Sequence, residues 1–246
     1  MGRQIECTTN LSWICTRIHW QAAMPTAPSR EMAQAAAEKG LELLGISEHA
    51  PGIPGTVDPF YYCNLSVVPR SLYGVEVIFG SEVNVLAGGH LSLDDEWLDK
   101  LDYAIAGIHA TCYEDAGREA NTDNLIACMR HPKIKFVSHP DDDHTPLDYE
   151  RLVPAAKENG VALEVNNSSF LKREGVRLNY RENYRRMLAL CKQHHAPIIV
   201  NSDAHDPSAV GGFDEARKFL QEQDFPEELI LNVAADRLKR FISWQA

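Results

Sequence analysis

Six apolar runs of strand length alternate with helix-like segments through most of this chain of 246 residues. The runs lie at 41–47, 73–81, 101–108, 134–138, 161–165 and 197–202. Helix-like patterns lie at 92–100, 121–131, 147–159, 179–194 and 207–222. Strands that are apolar on both faces and separated by helices are typical of a parallel sheet. Six such units, or seven if the N-terminal residues add one, favour a closed α/β barrel over an open sheet, and roughly 250 residues is a usual barrel length.

The N-terminal residues differ from the rest of the chain. Between Cys7 and Ser29 there is no Asp or Glu, although the whole chain is acidic. From 29 to 40, "SREMAQAAAEKG" predicts a helix with Ser29 as its N-cap and Gly40 as its stop. We therefore divide the chain into an atypical segment, 1–29, in place of the first barrel strand and loop, and one barrel domain, 30–246.

Composition excludes several classes of function. The net charge of −11 argues against nucleic acid as a partner, because phosphate backbones are bound by basic faces. No apolar run approaches the ~18 residues that span a bilayer, so no membrane partner is expected. Six cysteines without a CxxC pair indicate reduced thiols and a cytoplasmic protein. No glycine-rich nucleotide motif follows a strand.

Titratable side chains follow the predicted strands. Because the carboxyl ends of barrel strands meet at one mouth, these side chains are expected to lie close together. Imidazoles and carboxylates without thiolates suit zinc, manganese or iron, and a set this large favours several ions bridged by a carboxylate, as in multinuclear hydrolases. Taken singly, a histidine after a strand is more often a hydrogen-bonded loop residue, and Glu82 is also explained by helix capping or by a pair with a surface lysine. The set consists of four histidines and two acids: His49, Glu82, His109, His139, Asp203 and His205.

The motifs around these residues resemble the PHP (polymerase and histidinol phosphatase) superfamily. They are "GISEHAPGIPG", "GSEVN", "AGIHA", "VSHPDD", "LEVNNSS" and "NSDAH", and they occur in order between residues 30 and 243. The sequence is most similar to the stand-alone phosphatases with a trinuclear zinc site. The resemblance implies a distorted seven-stranded (β/α) TIM-like barrel and hydrolysis of phosphomonoesters by a metal-bound hydroxide.

The resemblance also implies roles for individual residues. Glu82 corresponds to a carboxylate that bridges two ions, and His109 and His139 to the other ligands of one of them. Asp203 corresponds to a ligand of the neighbouring ion, and His49 and His205 to ligands of a third. Up to three zinc ions are implied, with manganese or iron as alternatives. Asn167, Ser168 and Arg173 are candidates for substrate binding, although a polar loop explains them equally well.

The sequence departs from the family at its start. The family opens with a strand ending in His-x-His and a third histidine six residues on, whereas this chain offers only His19. Codons permitted for 13–19, read from the last base of each, encode Asp-Leu-His-Thr-His-Thr, the missing motif. We hypothesise that residues up to about 29 are translated one base out of frame. The alternative is a diverged N-terminus in which Cys15 or His19 is a ligand, or in which "SWICTRI" simply fills the first strand position.

The sequence thus predicts a metal-dependent phosphatase that acts on a small phosphorylated molecule. Two alternatives stay open: a histidinol-phosphate phosphatase, which shares the motifs, and a catalytically impaired barrel that binds a ligand or partner, because the first motif is missing. Five further histidines are assigned structural or solvent-exposed roles: His90, His131, His144, His194 and His195.

Overall fold

A parallel β-sheet forms the centre of the protein. The computed structural model describes residues 13–17 and 26–244, with side chains from Ser29 onward. Nine strands lie in this described part: β1 (Trp13–Arg17), β2 (Leu43–His49), β3 (Ser71–Leu72), β4 (Val75–Leu86), β5 (His90–Leu91), β6 (Tyr103–Gly107), β7 (Ile134–Val137), β8 (Ala162–Asn166) and β9 (Ile198–Asn201).

Seven of these strands build the barrel wall. Their order is β1-β2-β4-β6-β7-β8-β9, and every neighbouring pair is parallel. The short strands β3 and β5 pair with β4 in antiparallel orientation. The two end strands, β1 and β9, approach each other, so the sheet curves round towards closure. All seven carboxyl ends therefore point to one mouth.

Helices cover the outside of the sheet. They are α1 (Thr26–Glu38), α2 (Asp95–Leu98), α3 (Arg118–Met129), α4 (Tyr149–Glu158), α5 (Tyr180–His194), α6 (Asp214–Glu222) and α7 (Ala235–Ile242). Two predictions of helix bounds were wrong. Helix α1 begins at Thr26, so Ser29 lies inside it and is not its N-cap. The segment predicted as one helix at 207–222 is a short 3₁₀ turn (Pro207–Ala209) and α6, interrupted near Gly211, whose φ is +70°.

The hydrophobic core has two parts. The larger part packs the outer faces of the strands against the helices. The smaller part fills the barrel interior near the amino ends of the strands, with Leu43, Ile78 and Phe136 among its members. Leu238 and Ile242 of α7 belong to the same interior cluster, so this helix closes the amino end of the barrel. Burying each such side chain contributes about 1.5–3 kcal/mol.

Two barrel strands, β2 and β4, extend further towards the mouth than the sequence predicts. Glu82 was expected just after its strand but lies inside β4, and His49 is the last residue of β2. At the N-terminus, β1 occupies the first strand position and pairs with β2 from Trp13↔Leu44 to Arg17↔Glu48. His19 lies outside the described residues. Among the helices of the described chain, none is both long and apolar enough to cross a membrane.

Candidate metal centre

Glu82 lies at the centre of a cluster of imidazoles at the barrel mouth. Its side chain is 2% exposed. Its Oε1 atom lies 3.2 Å from Nε2 of His109 and 3.1 Å from Nε2 of His139. Its Oε2 atom lies 3.3 Å from Nδ1 of His49. One carboxylate thus has two imidazoles at one oxygen and a third at the other, as a bridging ligand requires.

The register of the sheet brings these residues together. His49 of β2 is the direct neighbour of Glu82 in β4. Gly107 is the neighbour of Asn84, so the chain leaving β6 carries His109 to the same place two residues later. His139 follows β7 with φ +31°, in the left-handed region. A non-glycine residue there is strained, and such strain concentrates at functional sites.

The free atoms of the cluster fit a metal ion. Nδ1 of His49, Oε1 of Glu82 and Nε2 of His109 are buried and lack a hydrogen-bond partner of good geometry. These three residues offer ligand atoms that all lie within 4.8 Å of one another. Zinc bonds of 2.0–2.1 Å in a tetrahedron separate neighbouring ligand atoms by about 3.3 Å. The spacings at Oε1, 3.1 and 3.2 Å, are close to that value.

The cluster holds its carboxylate in the charged form. Burial alone would raise the pKa of Glu82, but the facing imidazoles, above all His109, hold it well below its usual range. Burial lowers the pKa of His49, although the charges of Glu82 and Asp203 oppose this shift. An ionised carboxylate beside a neutral imidazole is the ligand set that a divalent cation prefers.

Asp203 and His205, which follow β9, lie at the edge of the cluster. Asp203 has φ +50°, a second strained position at the mouth. Nδ1 of His205 lies 2.8 Å from the backbone oxygen of Asp203, and the His205 ring is 6.5 Å from that of His49. His205 is exposed. The structure therefore brings Glu82 and three histidines into close contact and leaves His205 further out.

The candidate substrate residues are in different environments. Asn167 is buried, and its Oδ1 atom accepts a hydrogen bond of 2.9 Å from the backbone of Ala216 in α6, which is a structural contact. Ser168 is half-buried in the turn after β8, and its backbone donates to Asn166. Arg173 is exposed on the loop between β8 and α5.

Three residues beside the cluster were not identified from the sequence. Glu164 of β8 accepts from the backbone N–H of His139 at 2.6 Å and from the Asn201 amide at 2.6 Å. Arg177 donates to Nδ1 of His139 at 3.2 Å. Oδ1 of Asn84 lies 2.8 Å from Nδ1 of His109. Asn84 follows Glu82 by two residues, and the period of a strand places both on one face, which is a signal in the sequence.

Sequence comparison identifies relatives of this chain among known proteins. No protein-family profile matches the chain. It is 36% identical to a probable phosphatase of Acetivibrio thermocellus over 214 residues, and this alignment covers 87% of each chain. It is 38% identical to a probable phosphatase of Caldanaerobacter subterraneus subsp. tengcongensis over 216 residues, and this alignment covers 86% of this chain and 83% of the relative.

A solved structure has a similar fold. The histidinol phosphate phosphatase of Lactococcus lactis, complexed with zinc, L-histidinol and phosphate, has a TM-score of 0.54 at 16% identity, over 87% of this chain and 95% of that one. At this identity the likeness concerns the fold, and it confirms the predicted TIM-like α/β barrel. The chain shares more than a third of its residues with the probable phosphatases over most of their length, so it belongs to their family.

Proposed function

We propose that this protein is a metal-dependent phosphatase that hydrolyses a phosphomonoester of a small molecule. The observation that carries the proposal is the buried carboxylate of Glu82, with two imidazoles at one oxygen and one at the other. Membership of a family of probable phosphatases supports it. The proposed metal ligands are His49, Glu82, His109, His139, Asp203 and His205, and the proposed ion is zinc, with manganese or iron as alternatives.

A bound divalent cation would supply Lewis acidity at the phosphoryl oxygens and would activate water. The protein's own residues hold the site in place. Glu82 keeps its charge at neutral pH because three imidazoles face it. Glu164 anchors the backbone of His139 in its strained conformation. The buried position of Glu82 and His49 excludes bulk water from the ligand atoms, and this strengthens electrostatic interactions with substrate.

Cations near the mouth support an anionic substrate. The loop after β8 carries Lys172, Arg173 and Arg177, although the chain has a net charge of −11. Arg177 is the best placed, because it contacts His139 directly while its guanidinium pairs with the buried Asp141 at 3.1 Å. We propose that Ser168 and Arg173 meet the substrate at this rim. The four described cysteines are free thiols, which suits the cytoplasm that we include in the proposal.

The proposal is tested by phosphate release. Purified protein stripped with a chelator is assayed alone and after addition of zinc, manganese or iron(II). The substrates are p-nitrophenyl phosphate and a panel of sugar and nucleoside monophosphates, and bis(p-nitrophenyl) phosphate serves as the diester control. We expect activity on monoesters only when metal is present. Equal turnover with and without metal would contradict the proposal.

Histidinol phosphate is the second candidate substrate. The likeness of fold to the Lactococcus lactis enzyme favours it, although 16% identity carries no substrate by itself. A kcat/KM for histidinol phosphate at least tenfold above every sugar phosphate of the panel would select this alternative. If the protein holds metal but turns over no phosphomonoester, the third possibility applies, a catalytically impaired barrel that binds its ligand.

A further inference from the structure

The inference concerns Asn84, a fully buried residue of β4 that is not among the proposed metal ligands or substrate-binding residues. Its side-chain oxygen lies 2.8 Å from Nδ1 of His109. Nε2 of the same ring lies 3.2 Å from Oε1 of Glu82. Asn84 therefore touches the side of the imidazole opposite to the one that faces the candidate ion.

The orientation of the Asn84 amide is fixed by its other contacts. Its nitrogen lies 3.0 Å from the backbone oxygen of Pro51 and 2.9 Å from Oγ of Ser92. A carbonyl oxygen can only accept a hydrogen bond, so the atom facing Pro51 must be the NH₂ group. The atom facing His109 is then the amide oxygen, which can only accept. The proton of the neutral His109 ring must therefore be on Nδ1.

This tautomer leaves a lone pair on Nε2 that points at Glu82. In the neutral ring, an unprotonated nitrogen and a carboxylate oxygen then face each other at 3.2 Å, so His109 stabilises the charge of Glu82 in the metal-free protein only when Nε2 is protonated as well. The repulsion between the unprotonated nitrogen and the oxygen is relieved when a cation lies between them. Nε2 is among the buried atoms that lack a hydrogen-bond partner, as this arrangement requires.

His139 provides a contrast within the same cluster. Its Nδ1 atom accepts from the guanidinium of Arg177 at 3.2 Å, which places the proton of the neutral ring on Nε2. That protonated Nε2 lies 3.1 Å from Oε1 of Glu82, without the geometry of a hydrogen bond. Of the two imidazoles at Oε1, the neutral His109 ring therefore already has a lone pair on Nε2 for a metal ion. His139 would first have to move its proton from Nε2 to Nδ1 and give up its hydrogen bond with Arg177.

We propose that Asn84 is a positioning residue that fixes His109 in the metal-binding tautomer and thereby sets the affinity of the centre for zinc. The proposal rests on the metal site of the proposed function. Partners that hydrogen-bond to metal-ligating histidines orient the ring, and their removal typically weakens metal binding about 10- to 100-fold. We expect a loss in this range when the Asn84 oxygen is removed.

Two measurements on the full chain test the proposal. The first uses ¹⁵N-labelled, metal-free protein, and the ring nitrogen shifts of His109, assigned with a His109→Gln variant, report its tautomer. The second is the dissociation constant for zinc, obtained by competition with a chelator. We compare wild type with Asn84→Ala, which removes the acceptor, and with Asn84→Asp, which keeps it. Ser92→Ala is the matched control, because it removes a partner of the amide nitrogen and leaves the oxygen in place.

The expected result is a proton on Nδ1 of His109 in the wild type, zinc binding about 10- to 100-fold weaker in Asn84→Ala, tighter binding in Asn84→Asp than in Asn84→Ala, and near wild-type binding in Ser92→Ala. A neutral His109 ring with its proton on Nε2 instead of Nδ1 in the metal-free wild type would overturn the proposal, even if Asn84→Ala did not fold. Zinc binding by Asn84→Ala within twofold of wild type would overturn it as well. Failure of the wild type to bind zinc or to release phosphate would instead contradict the proposed function.

Discussion

Replacing Gly107 by alanine would place a methyl group inside the candidate metal centre. Gly107 is the last residue of β6, and an added Cβ would lie 2.6 Å from Oγ of Ser138, 2.7 Å from Cε1 of His109 and 2.9 Å from Oε1 of Glu82. Ordinary contacts between such atoms are about 3.5–4.0 Å. Two of these three atoms belong to the side chains proposed to bind the metal.

The size of the effect follows from where the strain can be relieved. Overpacking by one methyl group typically costs about 1–3 kcal/mol. In the metal-free protein His109 and Glu82 can turn away from the methyl group, whereas a bound ion draws them back. The strain then opposes metal binding, and 1–3 kcal/mol corresponds to about 5- to 150-fold weaker affinity.

A second glycine provides the control. An alanine at Gly80, in β4, would bring its Cβ within 2.5 Å of the buried Tyr103 ring and meet no proposed ligand. Neither Gly80 nor Gly107 has a left-handed φ, so both changes act through the added methyl group alone. We expect both variants to lower the melting temperature and only Gly107→Ala to weaken zinc binding, measured by chelator competition. Equal zinc affinities in the two variants would refute the reasoning.

Four further predictions follow from the same geometry. His109→Ala should release bound metal and abolish phosphate release, measured by metal analysis and turnover. His131→Ala should keep both near wild type, because His131 pairs with the exposed Asp95 away from the mouth. Burial, followed by the charge of Asp203, raises the pKa of Glu164 to about 8. The folded pKa is thus above the unfolded value of about 4.3, so metal-free wild type should lose stability between pH 5 and 8, as followed by urea denaturation, and Glu164→Gln should lose less. Replacing 13–29 by the shifted-frame sequence should raise zinc stoichiometry and activity; genomic codons that exclude the shift would contradict this hypothesis.

The barrel was predictable because its strands are continuous apolar runs between helices. The strand ends were harder to place. Glu82 was expected in the loop after its strand, yet it is buried, as is the neighbouring Ser81, which is hydrogen-bonded to Tyr62 at 2.8 Å. Such pairing between distant residues allows β4 to continue as far as Leu86. Helix α7 was not predicted, and its role at the amino end of the barrel is set by packing against residues far away in sequence.

The titratable side chains of the mouth were predictable because each comes at the carboxyl end of an apolar run. Their partners were not predicted. Asn84 has one signal in the sequence, its two-residue spacing from Glu82, whereas Glu164 and Arg177 are recognisable only through what they touch. Glu164 looks like an ordinary strand residue in the sequence, and Arg177 like one of several loop cations. Asn167, a candidate for substrate binding, also joins the turn after β8 to α6 through its Oδ1 atom. Motif position cannot separate these two roles.

The account depends most directly on Glu82 as a carboxylate shared between ions. Crystals of the zinc-loaded protein, measured above and below the zinc absorption edge, locate bound zinc by its anomalous scattering. The account predicts one zinc held by Oε1 of Glu82 with Nε2 of His109 and His139, and a second held by Oε2 of Glu82 with Asp203. Zinc bound only elsewhere, with Glu82 ligating none, would contradict it.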